Sequence, residues 1–119
     1  MPRDLHSAYG CRKDVGKFTL TKSVVKTVTF KDASGNPVKA EKVHFRVDGV
    51  SALPIYFTAS PTTALASDPT TNNFWVNTGE AIHTIEFQVG EIRFLHNADN
   101  TDVYIIAYGY ADLTGTTVA

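Results

Sequence analysis

Residues 42–47 alternate strictly: Val43, Phe45 and Val47 fall on one face, and Lys42, His44 and Arg46 on the other. A period of two predicts a half-buried antiparallel strand, one face on a core and one in water. The same period recurs over residues 82–89, which places Ile85, Phe87 and Val89 inward and Thr84, Glu86 and Gln88 outward. Residues 91–96 repeat it with Ile92 and Phe94 sharing a face. Further strands are predicted over residues 17–21, 23–31, 54–58, 74–77 and 103–110. Turn chemistry divides them. Asp-Ala-Ser-Gly-Asn-Pro at 32–37, Asp48-Gly49, Thr78-Gly79 and Asn-Ala-Asp-Asn-Thr-Asp at 97–102 supply residues that tolerate positive φ or end a ladder. Helix periodicity is missing, and fifteen threonines among recurrent Val, Ile and aromatic residues favour strands.

About eight short strands in a chain of 119 residues predict a single all-β domain. The expected architecture is a two-sheet antiparallel β-sandwich, jelly-roll-like, spanning residues 17–112. Residues 1–16 have mixed charge and no period, and are expected to form an extended N-terminal arm. Residues 113–119, small and polar, are expected to be a loose tail. The run SPTTALASDPTTNN at 60–73 has two prolines and no period, and loops of that length are usually contact surfaces or mobile.

The last predicted strand poses a question. One of its faces carries Val103, Ile105, Ala107 and Gly109, suited to the space between two sheets. The other carries Tyr104, Ile106, Tyr108 and Tyr110, large amphipathic side chains of the kind enriched at protein interfaces. Three explanations are open. The arm or the 60–73 loop covers this face, or it meets another subunit, or it is an open platform for glycan with Tyr108 and Trp75 as stacking rings.

Charge adds a second asymmetry. Net charge is −1, but residues 1–46 carry +6 and residues 47–119 carry −7. Either basic and acidic strands lie side by side in one sheet and pair modestly, or the two ends of different subunits attract each other. The lysines at 13, 17, 22, 26 and 31 are spaced and have no stacking aromatics among them, which argues against nucleic acid. The opening residues lack the apolar core of a signal peptide, and no apolar run approaches the ~20 residues that span a bilayer. A soluble protein made in a cytoplasm, with no membrane partner, is expected.

Candidate chemistry is sparse. No Gly-x-Ser-x-Gly elbow or Gly-rich phosphate loop occurs, and the single cysteine, Cys11, cannot close an intrachain disulfide. His6, His44, His83 and His96 form no metal-spaced pair. The oxygen-rich turn at 97–102 lacks the Gly at position 6 and the Glu at position 12 of a calcium loop. No catalytic residue, metal or cofactor is expected.

The stretches VHFRVDGVSALPIYFT, FWVNTGEAIHTIEF and IRFLHNADNTDVYIIAYGY, within residues 43–110, resemble small β-sandwich virion proteins of tailed bacteriophages. The shared features are packing signatures: a Gly-Glu turn, an I-x-F strand, a polar turn and an apolar VYIIAYG strand. The resemblance implies a non-enzymatic capsid decoration or cement protein in the virion, homo-oligomeric and often trimeric, with the major capsid protein or another virion protein as partner. Similar sandwiches serve as tail and fibre adhesins, which keeps a glycan-binding module as the alternative. The expected contact residues are Tyr104, Ile106, Tyr108 and Tyr110 on the strand, Arg12 and Lys13 on the arm, and Leu65 on the long loop.

Overall fold

The computed structural model describes residues 10–49, 55–59 and 82–119, together with the backbone of residues 74–76. The described strands are β1 (Cys11–Leu20), β2 (Lys26–Thr29), β3 (Lys42–Asp48), β4 (Ile55–Thr58), β5 (Phe74–Val76), β6 (His83–Ile85), β7 (Glu91–Leu95), β8 (Thr101–Gly109) and β9 (Thr117–Val118). They form two antiparallel sheets, β1-β8-β3-β6 and β5-β4-β7-β2-β9. The pairings β1–β8, β2–β7, β3–β6 and β4–β5 are those of one long hairpin folded over on itself. Alternate pairs fall in opposite sheets, which is the jelly-roll arrangement of a β-sandwich.

The pleat sends every second residue into the space between the sheets. Val43, Phe45 and Val47 of β3 meet Val103, Ile105 and Ala107 of β8 on one side, and Ile92, Phe94, Ile55 and Val28 line the other. Phe45 holds the two sheets together. Its ring lies 5.0 Å from that of Phe57 and 5.5 Å from that of Phe94, both edge-on, and 5.4 Å from the stacked ring of His83. Edge-to-face pairs of this kind contribute about 0.5–1.5 kcal/mol each beyond the area they bury.

Four expectations need correction. The strand β1 begins at Cys11, so residues 11–16 belong to the sheet and not to an arm; residues 1–9 lie outside the described residues. A β-bulge hid this strand from a search for period two. The register slips between Asp14 and Gly16, where Gly16 takes φ 79° and donates its N–H to Asp14 Oδ1 at 2.9 Å. The inward set therefore changes phase, from Cys11 and Lys13 before the bulge to Phe18 and Leu20 after it.

The C-terminal segment is not loose. Leu113 is 1 % exposed within the core, and Thr27 and Ala119 exchange two backbone hydrogen bonds at 2.7 and 2.9 Å. Gly115 packs so closely on the 32–37 turn that a Cβ there would stand 1.7 Å from the Asp32 carbonyl oxygen. The third correction concerns residues 82–89, which are a strand only over β6. Val89 returns in an isolated bridge to Ala40, while Phe87, expected inward, is 56 % exposed because the chain leaves the ladder at Glu86. The strand predicted over 23–31 shrinks in the same way to β2, with Ser23 at φ 61° in the preceding turn.

Phe45→Ala removes the ring that touches both sheets, and should lower unfolding free energy by about 3–5 kcal/mol in urea titration. Phe87→Ser, at an exposed position, should change it by less than about 0.5 kcal/mol. Gly115→Ala forces the closing segment off the turn, so amide exchange at Thr27 and Ala119 should accelerate ahead of the core; unchanged protection there would contradict the packing described.

Candidate functional site

The strand β8 is interior, hydrogen-bonded to β1 on one side and β3 on the other. Its inner face is fixed by burial of Val103, Ile105, Ala107 and Gly109, so Tyr104, Ile106 and Tyr108 must point away from the core. Residues directly opposite in adjacent strands share a face. The register therefore composes an outer surface in four rows.

The first row is Arg12, Tyr108, Lys42, and the second is Asp14, Ile106, His44. The third is Lys17, Tyr104, Arg46, and the fourth is Thr19, Asp102, Asp48. The flanking residues of the first and third rows are both basic, and the fourth row sets two carboxylates side by side. Opposite charges are therefore not matched across β1, β8 and β3 as strands lying side by side would allow. Among the described residues the ion pairs on this face are Lys42–Glu86 at 3.5 Å to the edge strand side, and Arg46–Asp48 at 3.7 Å along β3.

The aromatic residues of this face differ in depth. The Tyr108 ring stands edge-on to His44 at 5.6 Å and is only 3 % exposed, so it is not the open stacking platform expected for a sugar. Tyr104 is half-buried beneath the Arg46 guanidinium, 5.2 Å from its ring centre. Such a cation–π contact holds both side chains in place. Ile106 is half-buried, and beside it opens a hollow of about 260 Å³ whose walls include Tyr104, His44, Arg46 and Ile82. Ile82 is 63 % exposed and adds apolar area at its rim. Tyr110 lies beyond the end of the strand and is 71 % exposed.

The pleat separates the two basic residues expected to act together. Arg12 is exposed beside Tyr108, whereas Lys13 pairs with Ala107 on the other face and is half-buried near Asp112. Asp112 accepts the backbone N–H of Thr114 at 2.9 Å and that of Ala33 at 3.1 Å. The backbone and side-chain hydrogen bonds of Thr114 and the Ala33 N–H, with the Lys13 charge adding to them, hold the Asp112 carboxyl below its ordinary value. Leu65 lies outside the described residues, as does the side chain of Trp75, whose backbone pairs with Tyr56.

The 97–102 turn uses its carboxylate oxygens on β1 and the residues just after it. Asp99 Oδ1 accepts the Lys22 N–H at 2.8 Å, Asp102 Oδ1 accepts the Thr19 hydroxyl at 2.7 Å, and Asn100 takes φ 65°. Among the described residues no group of three His, Cys, Asp or Glu is placed to hold a metal ion. No helix among them is long and apolar enough to cross a membrane. A second hollow, about 300 Å³ and lined in part by Phe57, Ile85 and Phe87, has Glu86 as its one charged described wall residue.

The Asp112 carboxylate stabilises the folded state at pH values above its unfolded pKa, and that contribution fades as pH falls through the lower folded value. An NMR titration should place the Asp112 midpoint below the ordinary carboxylate range, and Asp112→Asn should remove that part of the acid sensitivity. A scan against family models, a search of curated proteins and a search of solved structures each find no match to this chain.

Proposed function

We propose that this chain is a non-enzymatic structural protein of a tailed-phage virion, a cement or decoration protein that acts by adhesion. The observation that carries the reading is the outer face of β8. There Tyr104 and Ile106 border an apolar hollow and are framed by exposed or half-buried charges of Arg12, Lys17, Lys42 and Arg46. Tyrosine and arginine around a shallow apolar centre are the composition of a protein-contact surface. The jelly-roll arrangement is used by viral capsid and lectin domains, which supports the reading by analogy of fold alone.

On this reading the protein works as a homo-oligomer in the virion, with the major capsid protein or another virion protein as its partner. Each contact is modest, and repetition over a lattice turns modest contacts into a stable shell. The adhesin alternative loses one of its two stacking rings, because Tyr108 is only 3 % exposed.

The test is binding of the purified protein to empty heads of the phage that encodes it. Tyr104→Ala and Ile106→Asp should each weaken head binding or self-association by at least about tenfold while the urea midpoint shifts little. Binding to a defined glycan with no affinity for heads would favour the adhesin instead.

A further inference from the structure

We infer that the outer face of the four-stranded sheet pairs with the same face of a second copy about a two-fold axis, their strands running antiparallel. The inference rests on the contact reading above and names the first partner of that surface. It comes from the order of charges along the strands. One end of the face is basic, with Arg12 and Lys42 flanking Tyr108, and the other end is acidic, with Asp102 beside Asp48.

Turning a second copy end over end, about an axis in the sheet plane and across the strands, lays the first row on the fourth and the second on the third. Lys42 then faces Asp48 of the second copy, and Asp14 faces Lys17. Asp102 of the second copy comes between Arg12 and Lys42. At the centre Tyr104 of one copy meets Ile106 of the other, beside the hollow of about 260 Å³. Among these twelve positions no like charges meet while His44, which faces Arg46, is neutral.

The other face-to-face arrangement, with the axis along the strands, lays each row on itself. Arg12 would face Lys42 and Asp102 would face Asp102, and like charges brought together in an interface cost several kcal/mol. Charge therefore selects the antiparallel pair. It also sets opposite charges against the like-charged rows, which are not matched across β1, β8 and β3.

Isologous pairing of this kind makes a closed two-fold dimer, in place of the trimer that the phage resemblance implies. Twelve positions a side are fewer than the roughly 20–30 of a standard stable interface, so the free dimer is weak and concentration-dependent.

Sedimentation over a concentration series should show a monomer–dimer equilibrium. Lys42→Glu and Asp48→Lys should each raise the dissociation constant on the order of 100-fold, since each reverses two contacts per dimer. Mixing these two variants should restore dimer, because each chain then supplies the charge the other needs; restored dimer also shows that both variants fold. Trimers in solution, or dimers untouched by either variant, overturn the two-fold pairing and leave the contact reading standing. A monomer at every concentration overturns the pairing, and head binding then decides the contact reading separately.

Discussion

The register of β8 between β1 and β3 is the constraint on which the rest of the molecule depends. A strand has two faces, and a slip of one residue exchanges them. Burial of Val103, Ile105 and Ala107 against the second sheet leaves no freedom in where Tyr104, Ile106 and Tyr108 point. Because both neighbours are hydrogen-bonded to β8, their outward residues are fixed as well. The pattern of charge on the surface is thus a consequence of how the core packs. Phe45 secures that packing from β3, since its ring contacts Phe57 and Phe94 of the opposite sheet.

That link joins stability to function. Core residues of β3 and β8 alternate with the residues that would meet a partner, so the proposed contact surface is carried on strands in the interior of the sheet. Such a surface is preorganised, and little ordering entropy is lost when it is covered. Arg46 illustrates the point, held over Tyr104 by the ring face and beside Asp48 by charge.

Much of the sandwich was legible in the sequence because its central strands have one wet face and one dry face. β3 and β7 follow period two without a break, and β8 has its predicted inner face. What escaped did so for identifiable reasons. The Gly16 bulge changes phase in the middle of β1, so charges at 12, 13 and 14 read as an irregular arm. β9 is two residues long and draws its hold from Leu113 and the Gly115 contact, which no local pattern encodes. The aromatic face of β8 was visible, but the depth of each ring was not. Tyr108 is buried although it faces outward, with its ring edge-on to His44 of β3, and no local pattern encodes that depth. The charge split between the two halves of the chain was visible too, whereas the like-charged rows it produces depend on strand order.

The central claim is that two copies meet face to face with their strands antiparallel. Its most direct test is the distance between spin labels placed on the lone cysteine, Cys11, in the paired protein. Cys11 lies opposite Gly109 near one end of the face, four residues from its centre. At about 3.4 Å per residue, the antiparallel pair sets the two labels roughly 30 Å apart. A distance distribution centred there is the predicted result. Labels under about 20 Å apart would mean that the strands run parallel, and that the charge order along the sheet does not direct the contact.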